Sequence, residues 1–177
     1  MKKRTQGKLT LVAPRAEYAA LFLGWRGQGA FARHNPLKPQ DLEQCRKRIM
    51  AEGHDLKSAA RRESYRWFAR LDGKIVGSAS LSGISEMMKT AEIGYGLDEA
   101  WHGRGLGTRM VRMLVEKVFA ETDLRKLVAF VHDKNIPSRR LLEKLGFKKE
   151  GFLREHYLIN GRPENEVLYG LLRGELG

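Results

Sequence analysis

The chain has 177 residues, 42% of them hydrophobic, which argues against intrinsic disorder and suits a single domain with one core. Its one cysteine, Cys45, excludes an internal disulfide framework. Because it stands among charged residues, we expect a solvated or half-buried thiol rather than a nucleophile. No apolar run approaches the roughly 20 residues of a membrane-spanning helix, and the basic N-terminus lacks a signal peptide's apolar stretch. We therefore expect a cytoplasmic protein without membrane association.

The formal net charge of +12 favours anionic partners. Nucleic acid, a ribosome or a phosphorylated cofactor would each fit this charge, and so would a basic surface that is only solvated. The sequence contains no RNA-recognition or helix-turn-helix signature, and its aromatic residues are not interleaved with the basic runs. A dedicated nucleic-acid face is therefore the less favoured interpretation.

The N-terminal third of the chain predicts one strand and two helices. The segment "KLTLVAP" alternates in polarity and predicts a strand that ends before Pro14, and "RAEYAALFLGWRG" has helical spacing up to the glycines that end it. After a loop at "NPLKP", the segment "QDLEQCRKRIMAEG" predicts a helix with Leu42, Cys45 and Ile49 on one face.

The remaining two thirds alternate strands and helices. "SYRWFARLDGKIVGSASLSGI" predicts a hairpin around Asp72-Gly73, and "TAEIGYGLDEA" predicts a further strand. A helix follows, and after it comes "KLVAFVH", whose continuous apolar run predicts a fully buried strand. The chain then predicts a short helix in "NIPSRRLLEKLGF" and a hairpin at Asn160-Gly161. This order predicts one α/β (α+β) domain over residues 1–177, with a mixed central sheet and helices on both faces.

The segment "WHGRGLGTRMV", Trp101 to Val111, places three glycines in five positions immediately before a helix. It lacks the Lys-Ser/Thr pair of a Walker loop, and its G-x-G-x-G spacing is not the dinucleotide fingerprint. Glycines at a strand-to-helix turn expose backbone N–H groups, and the helix N-terminus adds the positive end of its dipole. We therefore predict a pyrophosphate cradle, to which Arg104 and Arg109 could add contacts. A tight turn whose glycines serve packing alone is the alternative.

These residues resemble the acetyl-CoA motif, Q/R-x-x-G-x-G/A, of the Gcn5-related N-acetyltransferases (GNAT). The motif here reads His102-Gly103-Arg104-Gly105-Leu106-Gly107, with histidine at its first position. Residues 91–172 also resemble the subgroup that acetylates ribosomal-protein N-termini, through the N-x-x-S helix start, the E-K-L-G-F turn and the N-G hairpin. The resemblance implies a mostly antiparallel sheet whose fourth and fifth strands splay apart, and acetyl-CoA as the co-substrate.

The resemblance also implies where the cofactor binds. Pantetheine would lie in the gap beside the fourth strand, with a backbone N–H of that strand as the oxyanion donor, and the glycine turn would hold the diphosphate. The implied cofactor-binding residues are Ile93, Gly94, Tyr95, Gly96, Leu97, His102, Gly103, Arg104, Gly105, Leu106, Gly107, Thr108, Asn135, Ser138 and Arg140. Asn135 and Ser138 could instead serve as helix caps, and Arg140 could be solvated.

Acetyl transfer to an amine needs a base for the amine and an acid for the leaving thiolate. Glu92 shares a strand face with Gly94 and Gly96 by period-two counting, which makes it a candidate base or else an ion-paired or exposed carboxylate. The resemblance implies that Ser138 is a candidate acid.

A second candidate base lies near the final hairpin. In the ribosomal-protein subgroup an acidic residue often occupies the position of Tyr157, which leaves Glu155 or His156 as neighbours here. We expect His34 and His54 to be ordinary loop histidines. The sequence shows no His/Asp/Glu cluster with metal-ligand spacing, so no metal is expected.

The resemblance favours acetyl transfer to a primary amine, with the α-amino group of a protein or peptide N-terminus as the preferred acceptor. Because the only cysteine, Cys45, lies far in sequence from the cofactor motifs, we expect direct attack without an acetyl-enzyme. A small amine such as a polyamine, an aminoglycoside or an amino sugar is the alternative acceptor. A non-catalytic basic adaptor that binds RNA or the ribosome is the alternative of another class. Association with the ribosome, and a monomeric or homodimeric state, are both compatible with the sequence.

Overall fold

The computed structural model describes residues 7–34 and 40–177, so the loop predicted at "NPLKP" lies outside the described residues. In chain order the elements are β1 (Leu9–Val12), α1 (Tyr18–Arg26), α2 (Gly29–His34), α3 (Leu42–Ala51), β2 (Tyr65–Leu71), β3 (Lys74–Ser85), β4 (Thr90–Leu97), a single 3₁₀ turn (Glu99–Trp101), α4 (Leu106–Glu121), β5 (Lys126–His132), α5 (Ile136–Lys144), β6 (Lys148–Ile159) and β7 (Arg162–Leu172).

The strands of the described chain form one seven-stranded sheet in the order β1-β2-β3-β4-β5-β7-β6. Neighbouring strands pair antiparallel except β4 and β5, which pair parallel across the α4 crossover. The mixed, mostly antiparallel sheet predicted from the sequence is therefore confirmed.

Both predicted hairpin turns are confirmed because the turn residues adopt the left-handed conformation that such turns require. Asp72 and Gly73 have φ values of 46° and 86°, and Asn160 and Gly161 have φ values of 52° and 77°. These dipeptides set the register of β2 with β3 and of β6 with β7.

The sheet is covered on both faces. On one side, here called the α4–α5 face, the main core includes fully buried Leu114, Leu127 and Tyr169. On the other side, called the α1–α3 face, a smaller aromatic core surrounds Phe68, whose ring centroid lies 5.0 Å from that of Tyr18. No helix of the described ranges is long and apolar enough to cross a membrane.

Several local predictions need correction. The first helix does end at the glycines, with Gly27 as its C-cap, but the helix α2 that begins at Gly29 was missed. Cys45 is fully buried rather than solvated, since α3 turns it toward α1, whereas Leu42 on the same predicted face is 41% exposed. The strand β5 is not fully buried, because Phe130 points to the α1–α3 face and is 36% exposed.

Candidate active site

The sheet opens between β4 and β5. Their parallel pairing covers only Thr90–Lys126, Ala91–Leu127 and Glu92–Val128. Beyond this point β4 runs on to Leu97 and β5 runs on to His132 without pairing to each other. The predicted splay of the fourth and fifth strands is confirmed, and it leaves a notch flanked by two strand edges.

Glycines form the β4 side of the notch on the α1–α3 face. A Cβ added at Gly94 would lie 2.7 Å from the Ser80 hydroxyl, and one added at Gly96 would overlap the ring of Phe31. Bare backbone at Gly96 therefore lets Phe31 of α2 pack directly on β4. The neighbours Ile93 and Leu97 turn their buried side chains into the main core, so only their backbones face the notch.

The missed helix α2 bridges the notch. Its Phe31 packs on Gly96 of β4, while Nδ1 of its last residue, His34, lies 2.8 Å from Nδ1 of His132 at the end of β5. His34 is therefore not an ordinary loop histidine, and α2 crosses the splayed end of the notch at the level of Gly96 and His132.

The glycine turn leads from the end of β4 into α4. The His102 ring approaches the Leu97 carbonyl, with its Nε2 3.0 Å from that oxygen, and so closes the loop against β4. Gly103 and Gly105 have φ values of 75° and 77°, which L side chains rarely adopt. The turn conformation therefore depends on glycine at both positions.

The α4 N-terminus is suited to an anion. Gly105 is the N-cap, no side chain caps the helix, and a Cβ at Gly105 would meet open space. The first-turn N–H groups thus face solvent beside the positive end of the helix dipole. A side chain at position 105 would fill this cradle, so the residues fit the predicted diphosphate site.

The remaining predicted cradle residues differ in exposure. Leu106 is buried in the main core, and Gly107 packs against Leu141, so both are confined to backbone roles. Arg104 stacks over Trp101 at 5.0 Å from the ring centroid, and Thr108 is half-buried in the first turn of α4. Arg109 donates a hydrogen bond to the Gly7 carbonyl at 2.8 Å, and Arg140 is exposed on α5.

A hydroxyl pair spans the notch on the α4–α5 face. The Tyr95 hydroxyl lies 2.8 Å from Ser138 Oγ, which joins β4 to the start of α5. Burial raises the pKa of Tyr95, so its phenol is protonated at neutral pH. Asn135 caps α5, because its Oδ1 accepts from the Ser138 N–H at 3.3 Å, and this capping role was the alternative interpretation of the motif.

Carboxylates occupy the α1–α3 side of the notch. Glu92 lies at the last paired position of β4, and burial raises its pKa, which the negative charge of Glu166 raises further. Glu166 on β7 lies opposite His132 in the β5–β7 strand register, and its Oε2 is 2.8 Å from Nδ1 of His156. These groups form one titratable patch beside the splay. The other candidate base, Glu155, is exposed and sits in a β6 bulge with φ 51°.

His132 lies in a cluster with the carboxylates of Asp133 and Glu164. His132 Nε2 lies 3.2 Å from Glu164 and 3.5 Å from Asp133, and these three side chains place ligand atoms within 4.8 Å of one another. Such a set could hold a cation, which the sequence spacing did not indicate. Here Lys134 Nζ lies 2.6 Å from Glu164 Oε2 and supplies the countercharge itself.

The sequence is similar to known proteins. A family model described as the acetyltransferase (GNAT) domain matches residues 8–148. "Probable N-acetyltransferase YjcK" of Bacillus subtilis is 40% identical over 106 residues, 59% of this chain and 59% of that protein. The spermidine N(1)-acetyltransferase of Escherichia coli is 29% identical over 102 residues, which cover 58% of this chain and 55% of the relative. The ribosomal-protein-serine acetyltransferase of E. coli is 30% identical over 98 residues, or 55% of each. The chain thus matches between half and three fifths of the length of these curated relatives.

Solved structures agree on the fold. Mycobacterium smegmatis RimJ in complex with CoA-disulfide superposes with a TM-score of 0.82 at 24% identity, covering 96% of this chain and 84% of that one. A microcin C7 self-immunity acetyltransferase, solved with acetyl-CoA and AMP, gives 0.78 at 22% identity over 95% and 93%. Acetyl-CoA as the co-substrate is in accord with the acetyltransferase family model. With the family model spanning most of its length and the notch and glycine cradle in place, the chain belongs to the GNAT acetyltransferase family.

Proposed function

We propose that this chain transfers an acetyl group from acetyl-CoA to a primary amine by direct attack. The observation that best supports this proposal is the notch between β4 and β5, with Glu92 on one face of the sheet and the Tyr95–Ser138 pair on the other. The glycine cradle at Gly105 would hold the diphosphate, and the unpaired β4 edge would hydrogen-bond pantetheine and the oxyanion. Cofactor and amine then approach the same gap from opposite faces of the sheet.

Glu92 is the proposed base. An ammonium cannot attack, so the acceptor must first lose a proton. Burial and the nearby charge of Glu166 raise the pKa of Glu92, which brings its proton affinity closer to that of the amine. Glu155 is less suited, because it is exposed in the β6 bulge away from the paired end of β4.

The proposed acid is the hydroxyl pair. The Tyr95 phenol keeps its proton at neutral pH and lies 2.8 Å from Ser138 Oγ, so it can donate a hydrogen bond to that oxygen while solvent restores the proton that Ser138 gives up. The leaving thiolate would take its proton from Ser138, and Tyr95 would supply the charge-stabilising hydrogen bond. No acetyl-enzyme is involved, because Cys45 is fully buried between α1 and α3.

The proposed acceptor is the α-amino group of a protein or peptide N-terminus. An α-amine titrates near ~8 against ~10.4 for lysine, so a carboxylate base suffices. The ribosomal-protein-serine acetyltransferase and the spermidine acetyltransferase of E. coli are about equally similar to the chain, so a small amine is the second candidate. A net charge of +12 disfavours polycationic acceptors, and it would favour localisation on ribosomal RNA.

The test is a thiol-release screen with acetyl-CoA against N-terminal peptides, polyamines, aminoglycosides and amino sugars. Peptides should give the highest kcat/KM. If a small amine exceeds every peptide by more than ~100-fold, a difference of ~2.7 kcal/mol in transition-state stabilisation, the N-terminal assignment is wrong. No turnover with any amine, together with strongly salt-dependent RNA binding, would instead identify a non-catalytic adaptor.

A further inference from the structure

Three arginines converge on one aromatic ring of the α1–α3 face. The guanidinium carbons of Arg26 on α1, Arg48 on α3 and Arg66 on β2 lie 5.7, 5.5 and 5.0 Å from the Phe22 ring centroid. Glu52, which follows α3, pairs with Arg66 through both of its oxygens, and both side chains are nearly buried. We call these three arginines the arginine cluster.

The cluster is a region of positive potential. The pKa of Arg26 is lowered to about 10, first by burial and then by the charges of Arg48 and Arg66. The Nε of Arg48 is buried without a hydrogen-bond partner among the described residues. The Arg26 guanidinium therefore feels the charges of Arg48 and Arg66 at reduced dielectric, and an anion beside the cluster would relieve that repulsion.

The cluster lies beside the notch on the face from which the amine would approach. Arg66 pairs with Ser80 of β3, and Ser80 pairs with Gly94 of β4, so Arg66 stands two strand spacings, roughly 10 Å, from the notch. Arg26 is linked to the notch by a second route, because its guanidinium carbon lies 5.1 Å from the centroid of the Phe31 ring, which covers Gly96. Along the strand register, the two residues between Arg66 and the splay, Ser80 and Gly94, are small.

We infer that the arginine cluster recognises an acidic side chain at the second or third residue of the acceptor peptide. This inference rests on the proposed function and specifies its substrate class. Two to three extended residues span roughly 7–10 Å, which matches the separation between the notch and the cluster. A carboxylate accepts well from the fork geometry of guanidinium groups, whereas a polyamine would be repelled.

The experiment compares peptides that are identical except for Glu or Gln at position 2 or 3. The Glu peptide should have at least about tenfold higher kcat/KM, the effect of one charge-assisted hydrogen bond. The preference should fall toward unity in Arg26→Gln and Arg48→Gln, and with rising salt. Lys47→Gln is the matched control, because Lys47 neighbours Arg48 on α3, is exposed and carries the same charge, and it should keep the preference.

Charge reversal extends the test. Arg26→Glu should turn the preference toward peptides with Lys at the same position, which general loss of folding cannot produce. The comparison of the two peptides on the unmodified protein needs no variant, so unfolding of a mutant cannot hide the answer.

The outcomes separate this inference from the proposed function. Efficient acetylation of Glu and Gln peptides at equal rates, or a preference that survives both arginine variants, overturns the arginine cluster but leaves N-terminal acetylation standing. Turnover of polyamines with no turnover of any peptide overturns both.

Discussion

A substitution at Gly105 in the glycine cradle should weaken acetyl-CoA binding much more than it lowers the stability of the protein. Replacing Gly105 with glutamate puts a side chain into open space, so no atom is displaced within the protein. The backbone at φ 77° costs ~1–2 kcal/mol for an L residue, and a carboxylate at the helix N-terminus regains ~0.3–1 kcal/mol. The net loss of ~1 kcal/mol should lower Tm by about 2–4 °C for a domain of this size.

The same substitution should abolish most of the cofactor affinity. The new side chain blocks at least two N–H groups that would each donate a charge-assisted hydrogen bond of ~1.5–3 kcal/mol to the diphosphate. A loss of ~3 kcal/mol or more corresponds to at least ~100-fold in Kd. Isothermal titration calorimetry with acetyl-CoA measures the affinity, and thermal denaturation followed by circular dichroism measures Tm.

The matched control is Gly73→Glu. Gly73 has φ 86°, its Cβ position is also open, and it lies in the β2–β3 turn away from the glycine cradle. It should lose similar stability and keep acetyl-CoA affinity. If Gly105→Glu binds within threefold of the unmodified protein, or if both variants weaken binding alike, the cradle assignment is refuted.

Four further predictions concern the chemistry. Glu92→Gln should lower kcat/KM by ~10²–10⁴-fold; because a base works deprotonated and the pKa of Glu92 is raised, activity should rise at higher pH than for a solvated glutamate. Glu166→Gln removes one cause of that rise in pKa and should move the acidic limb of the pH–rate profile to lower pH; an unmoved limb would exclude Glu92 as the titrating base. Tyr95→Phe and Ser138→Ala should each lower kcat and change KM for acetyl-CoA less. The double variant should lose little more kcat than either single variant. Additive losses of kcat would contradict a shared role of the two hydroxyls in proton donation. Cys45→Ser should retain turnover, because the thiol is fully buried and the serine hydroxyl can donate to the Ala19 carbonyl that Cys45 approaches at 3.8 Å; mass spectrometry that finds an acetylated Cys45 competent to pass its acetyl group on would overturn direct attack.

The acceptor side of the site could not be predicted in the same detail as the cofactor side. The glycine turn and the helix start at Asn135 could each be predicted from one short segment of sequence, because the backbone conformation there follows from the residues that adopt it. The arginine cluster joins positions 26, 48 and 66 from three separate elements, and no periodicity links them. Helix α2 was missed for a local reason: glycine at its first position looks like a stop when the contact of Phe31 with Gly96 is unknown.

Local sequence alone determined the two hairpin turns and the left-handed glycines before α4, because turn conformation depends on the residues in the turn. It also placed Glu92 on the same strand face as Gly94, because side chains alternate along a strand with a period of two. The burial of Cys45 and the contact between His34 and His132 were decided by packing, since each depends on residues at least 26 positions apart in the chain. The length of the notch was likewise a tertiary result. Pairing between β4 and β5 ends at Glu92 and Val128, while β4 stays paired with β3 and β5 with β7 beyond that point, so the end of the pairing depends on how these separate strands lie in the sheet.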